Sequence, residues 1–282
     1  MIKMLSQVID PGTLSPAMIL WRRELLRYTR QPGWIAANLA TPLMLWIMMG
    51  FGLDKTFLAG GVDAALADDG ASLNAASQSG YLQYFFPGAV LLMVVSTAIF
   101  SNFSVIEDRR DGFLQGVLVA PISRLAIVMG KVLGGATLVT VQGFVFLVLW
   151  PFIAPFPGVF AMIVSLIVLA FIGIAMTAMG FCFAWRMDSV GALHGVMLLF
   201  MPMWMLSGAI FPVATAPWLM RMLMYLNPLT YHHSLLAWTM GGASGSRGLV
   251  HPAIAAPIML ATTAAVVFLA MRIAQWPRKD GT

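Results

Sequence analysis

The stretch EDRRDGFLQGVLVAPISR, residues 107–124, gathers Glu107, Asp108, Arg109, Arg110, Asp111 and Arg124 in a chain where only 10% of residues are charged. Between these ionic flanks, Phe113, Leu114, Val117, Leu118 and Pro121 recur at helical spacing. Nothing in the segment pairs a nucleophile with a base. Its chemistry is recognition: an apolar centre supplies most of the affinity for a partner, while charged rims set register and partner choice. The same composition also suits a basic loop whose apolar face rests on lipid.

Other reactive groups are sparse. Cys182 is the single cysteine and sits in an apolar run, so neither an intramolecular disulfide nor a thiolate metal site is expected. His232 and His233 are adjacent but lack a third ligand. His194 falls inside an apolar run and reads as a packing histidine. There is no H-E-x-x-H pair. Gly130-Lys131 is followed by Val132, and position 125 is Leu, so the phosphate-binding G-x-x-x-x-G-K-[ST] pattern is absent. No catalytic, metal-binding or cofactor-binding residue is expected. If this chain moves a solute uphill, another chain must supply the energy.

The elements that would hold the charged stretch are apolar. Of 282 residues, 60% are hydrophobic. A soluble domain carries about 25% charged residues, so the natural solvent here is a bilayer. Six runs reach the length of about 20 residues that a spanning helix needs: 34–53, 84–106, 128–150, 159–184, 190–211 and 253–272. The segment 212–240 is broken by Pro212, Arg221 and Asn227-Pro228 and reads as short helices dipping into one leaflet. The whole chain is expected to form one all-α transmembrane domain. No charged residue is expected deep in a span, which argues against an ion-coupled carrier with buried carboxylates.

Thirteen of the sixteen Lys and Arg fall on one set of connections: the N-terminal segment, residues 107–131, Arg186 and the tail. A basic excess marks the cytoplasmic side. Both termini then lie inside, in agreement with an even number of spans. Residues 1–30 lack the pattern of a cleaved signal peptide. Within 15–31, Ser15 can cap and Pro16 suits a first helical turn. Met18, Trp21, Leu25 and Tyr28 then share one helical face, opposite Arg22, Arg23, Arg27 and Arg30. That pattern predicts a helix lying flat on the cytoplasmic leaflet. The loop 54–83, rich in Ala, Gly, Ser and Asp, is expected to be loosely held.

Residues 107–131 resemble the signature of permeases of type-2 ATP-binding-cassette (ABC) exporters. Glu107, Asp108, Arg109, Arg110, Gly112, Leu114, Leu118, Pro121, Ser123, Arg124, Gly130 and Lys131 occur in the order of that signature. "RRELLRYTRQP", which contains Glu24, resembles the family's interface helix. "YFFPG", "LSGAIFP" and "NPLTY" resemble its second span and the segment before its last. The sequence departs from many members at Gln115 and Gly116. The resemblance implies a half-transporter that pairs as a dimer, each copy bound to a separate ATPase that holds ATP and magnesium. It implies that 107–124 is the coupling helix seated in that ATPase. It also implies that 212–240, with Phe211, Pro212, Asn227, Pro228 and Tyr231, closes the outer mouth.

The family's dimer seam usually uses the first and fifth spans. Met197, Phe200, Met201 and Trp204 on the fifth, with Trp34 and Trp46 on the first, are the candidate substrate path. Methionine and aromatic groups make a soft wall that adapts to varied apolar shapes, which suits a hydrophobic or amphipathic cargo such as a drug, lipid or polyketide. Export of a polysaccharide or glycolipid is the alternative within the family. An ion-coupled carrier and a non-transporting scaffold are the rival classes. Pro202 is expected to kink the fifth span.

Overall fold

The structure, a computed structural model, describes residues 11–59, 81–113, 116, 119, 122–152, 156–211, 213, 216–241 and 250–275. Leu114, Leu118 and Pro121 of the charged stretch, Pro212 and most of the loop 54–83 lie outside them.

Apolar runs that must satisfy every backbone group within themselves become helices. The described elements are α1 (Pro11–Thr29), α2 (Pro32–Ala59), α3 (Tyr81–Ser101), α4 (Phe103–Arg110), α5 (Arg124–Leu149), α6 (Val159–Arg186), α7 (Val190–Trp204), α8 (Trp218–Leu226), α9 (Pro228–Gly241) and α10 (Pro252–Gln275). No strand occurs among the described residues. Six helical stretches are long and apolar enough to cross a membrane, with α3 and α4 together making one of them. At 9 and 14 residues, α8 and α9 are each too short. They meet at Asn227, whose backbone is extended and whose side chain accepts from the Leu229 N–H at 3.1 Å. Pro228 disfavours helix at the residue before it, which is why the break falls there.

α3 is the axis of the bundle. Residues 85–99 are all buried, and α2, α5, α6 and α7 pack around them. At Asn102 the helix steps sideways into α4. The Asn102 amide donates to Ala98 O at 2.8 Å and to Thr177 O on α6 at 3.2 Å. α2, α7 and α10 are the least covered flanks. α2 buries Asn38, Pro42, Trp46 and Gly50 at four-residue spacing, and leaves Met44, Met48 and Phe51 outward. α7 buries Leu193, Val196, Phe200 and Trp204, and leaves Leu198, Leu199 and Met201 outward.

Two local expectations are revised. α1 begins at Pro11 and runs through Pro16, rather than starting at a Ser15 cap. Its buried stripe is Ala17, Leu20, Glu24 and Tyr28, so Met18 faces outward and Trp21 and Leu25 lie at the margin. A hydrophobicity pattern scores Glu24 as polar and rotates the face away from it. The fold buries it because a cation waits opposite. In the fifth span the helix continues through Pro202 and changes at Met205–Ala209 into a π-helical turn, with Gly208 at φ 86°.

Close approach dictates several glycines. A Cβ at Gly135 would lie 2.6 Å from Ser101 Oγ and equally close to the Thr177 side chain. We expect Gly135→Val to lower stability by about 1–3 kcal/mol through overpacking. Gly33→Ala, with nothing near its Cβ, should be tolerated. Thermal unfolding in detergent compares them.

Candidate functional site

The charged stretch begins as the last turn of α4 and is then turned by a glycine. The Asp111 N–H still reaches Glu107 O at 2.9 Å, and the Gly112 N–H reaches Arg109 O at 3.2 Å. Gly112 adopts φ 75°, the left-handed conformation that ends a helix and favours glycine. Helix resumes at once: Phe113 is helical and the Gly116 N–H bonds Gly112 O at 3.2 Å. The stretch therefore leaves the bundle in a new direction while its ionic flank stays on α4.

That flank faces inward. Asp108 is buried. Its carboxylate accepts from Arg23 at 2.7 and 3.0 Å, from Arg27 at 3.1 Å, and from Lys131. The Lys131 ammonium also donates to Glu24 Oε1 at 2.7 Å and to Ser104 Oγ at 2.9 Å. Arg27 bonds Glu107 as well. Three carboxylates thus meet three cations drawn from α1, α4 and α5. Asp108, Glu24 and Lys131 are buried while Arg23, Arg27 and Glu107 stay partly exposed. Burying an ion costs several kcal/mol, which mutual attraction offsets only when the hydrogen bonds are complete. Here Lys131 has three partners. Bonding to Asp108, with the field of its carboxylate, raises the Arg23 pKa above its ordinary value against the opposing effect of burial.

Glycine brings the charges together. A Cβ at Gly130 would lie 2.6 Å from Leu20 Cβ, and one at Gly134 would lie 2.9 Å from Glu24 Cβ. α1 settles into the groove these glycines leave on α5, one helical turn from Lys131. The Tyr28 hydroxyl closes the joint by donating to Ser101 O at 2.7 Å, and burial pushes its pKa up. Trp21 donates its indole N–H to Thr137 Oγ1 at 3.1 Å. Arg22 is exposed.

The next charges cap other helices. Arg109 donates to Met187 O at 2.7 Å and to Trp185 O at 2.8 Å, neutralising the C-terminal carbonyls of α6. Arg110 reaches Asp188 O at 3.4 Å. At the far flank, Arg124 donates to Ala274 O at 3.3 Å and Gln275 O at 3.2 Å on the last turn of α10. Ser123 caps α5 by accepting from the Ala126 N–H at 3.2 Å. Both flanks are thereby tied to the bundle. Between them the Phe113 ring lies 3.7 Å below the Arg23 guanidinium, and Val119 is 88% exposed.

The candidate path residues do not form one surface. Trp46 is buried against Phe86 and donates to Leu82 O at 2.8 Å. Phe200 is buried, and Trp204 donates to Gly88 O at 2.8 Å. Trp34 stacks on Tyr28 at 5.7 Å. Met197 is half-buried and Met201 faces outward. Near the other end, the π turn sheds carbonyls that neighbours capture: Tyr84 donates to Gly208 O at 2.6 Å, Tyr81 to Ile210 O at 2.9 Å and Asn227 to Met203 O at 2.5 Å. Phe211 is half-buried beside this turn, Pro228 opens α9, and the Tyr231 hydroxyl donates to Tyr225 O at 2.7 Å. Ser104 is the partner in the ionic joint that the sequence does not mark; Lys131 and Tyr28 stand out there only as part of the signature and of a helical face, not as members of an ionic joint. The Gly130-Lys131 pair was its visible trace.

Six helices of spanning length around a charged, anchored loop define a multipass membrane protein of the transport-permease class. The ABC-2 type transporter family matches residues 17–241, and the chain belongs to it. A protein of Cyanophora paradoxa named as a transport permease, ycf38, is 26% identical over 216 residues, which cover 76% of this chain and 70% of that one. Proteins from Escherichia coli K12 and O157:H7, named as a multidrug ABC transporter permease, YbhR, are 26% identical over 157 residues. These cover 54% of this chain and 42% of theirs, less than half their length. The chain is thus a permease subunit rather than an enzyme, and its family implies an ABC ATPase as partner.

The ionic joint makes a paired test. Lys131→Met leaves Glu24 and Asp108 facing each other in a buried site, and should destabilise by about 3–5 kcal/mol. Combining it with Glu24→Gln restores the charge balance and should recover most of that loss, measured as the unfolding midpoint in detergent.

Proposed function

We propose that this permease exports a hydrophobic or amphipathic substrate, working as a dimer with two copies of an ABC ATPase. Residues 107–124 dock in that ATPase. The observation that carries this reading is the contrast within the stretch. Its flanks are spent on holding α1, α5, α6 and α10, while between them Val119 is 88% exposed and Phe113, with one face under the Arg23 guanidinium, is still 37% exposed. A segment pinned at both ends transmits displacement, and an apolar centre gives a soluble partner something to hold. ATP binding would draw the two ATPases together and move both joints, favouring one arrangement of the spans by a few kcal/mol.

The dimer seam is formed by the outward faces of α2 and α7, which carry Met44, Met48, Phe51, Leu198, Leu199 and Met201. These flexible side chains suit a cargo of variable shape. In a bacterial inner membrane, the basic end of the bundle faces the cytoplasm with both termini. α8, α9 and the π turn then lie at the outer mouth and close it. ATP and magnesium stay with the partner.

Co-expression with ABC ATPases from the same organism, each tested for co-purification, tests the docking. Phe113→Asp and Val119→Asp should each cut the ATPase recovered with the permease by at least roughly tenfold, as a charge placed in an apolar contact does. Gly112→Val should keep the complex but uncouple ATP hydrolysis from transport in inverted vesicles, because its backbone conformation is strained for a branched residue. Full recovery of the ATPase with both aspartate variants would remove 107–124 from the interface.

A further inference from the structure

α1 carries arginines at 22, 23, 27 and 30, and they do not have equal duties. Arg23 and Arg27 are held by Asp108, with Arg27 also on Glu107. Arg22 and Arg30 are exposed, and their guanidinium groups have no hydrogen bond or ion pair among the described residues; the Arg30 backbone N–H is engaged by Arg27 O at 3.2 Å. All four line one cavity of about 710 Å3, together with Ile19, Leu26, Gln31, Asp108 and Asp111. The arginines outnumber the two acids by two. Asp108 is already saturated by Arg23, Arg27 and Lys131, so the excess falls at the outer rim, on Arg22 and Arg30.

The rim is amphipathic. Ile19 and Leu26 are 66% and 49% exposed, and with Arg22 and Arg30 they form a stripe at three- and four-residue spacing. Its depth is set by the chain: Arg30 lies two residues before Pro32, where the first spanning helix begins. A group at that position sits at headgroup level. Guanidinium groups at headgroup depth, flanked by apolar side chains reaching toward acyl chains, complement a lipid phosphate, which Arg binds in a forked geometry.

We propose that Arg22 and Arg30, with the Gln31 amide, form a site for the headgroup of an anionic phospholipid in the leaflet that α1 lies against. Occupancy offsets the repulsion among four neighbouring cations on one face. It therefore steadies Arg23 and Arg27 on Asp108 and makes the ionic joint sensitive to lipid charge.

The test uses the full permease with its ATPase in nanodiscs of phosphatidylcholine mixed with phosphatidylglycerol. Lipid retained after extraction into detergent is measured by mass spectrometry. Wild type should retain phosphatidylglycerol preferentially. Arg22→Gln with Arg30→Gln should reduce that preference roughly 10- to 30-fold, given about 1 kcal/mol per basic residue near an anionic surface. Arg22→Lys with Arg30→Lys, which keeps the charge but loses the forked geometry, should fall between wild type and the glutamine variant, and Arg272→Gln, at the end of α10, should leave it unchanged. Two results overturn the proposal: no phosphatidylglycerol preference in wild type, or an undiminished preference in the glutamine variant. If the glutamine variant keeps its lipid preference but loses the ATPase, the cavity is a protein-docking site and the lipid site is refuted. Because the wild-type arm is decisive alone, poor folding of a variant does not rescue the idea.

Discussion

The buried contact among Lys131, Asp108 and Glu24 is the constraint on which the basic end of this bundle depends. Charges taken out of water must be matched in number and in hydrogen bonds, or the site destabilises the fold. Matching them requires three helices at one point. α1 must lie against α5, so Gly130 and Gly134 carry no side chain. α4 must extend past the end of α3, so the helix steps at Asn102 and stops at Gly112. The direction in which the charged stretch leaves the bundle follows from that requirement.

The consequence is a stiff linkage. Arg109 ties the start of the stretch to the end of α6, and Arg124 ties its far side to the end of α10. The stretch is fixed to four helices at once. α4 continues from α3, whose opposite end supports α7. There Tyr81, Tyr84 and the Gly88 carbonyl hold a segment whose helical pattern has loosened into a π turn. Such turns leave carbonyls needing outside donors and are common at functional sites. The rigid joint and the adaptable turn thus lie at opposite ends of one helix whose residues 85–99 are all buried.

Several of these features were legible in the chain. Six apolar runs of spanning length imply six helices, because backbone groups in lipid have no other way to be satisfied. The break at Asn227-Pro228 follows from proline chemistry. Glycine between α4 and the resumed helix is legible as a terminator. The candidate path was harder to read. Trp46, Phe200 and Trp204 look alike in sequence whether they line a path or fill a core, and only the neighbours Leu82, Phe183 and Gly88 show that they face inward here.

By itself, the sequence determined that the chain lives in a membrane and crosses it six times. It also determined that one short charged stretch is set apart from the rest, since hydropathy and the chemistry of glycine and proline act locally. Tertiary structure alone decided which charges face one another. Glu107, Asp108 and Glu24 read as surface ions, because a local pattern scores any carboxylate as polar. Lys131 and the arginines that neutralise them arrive from distant parts of the chain, and electrostatic compensation is a property of that meeting.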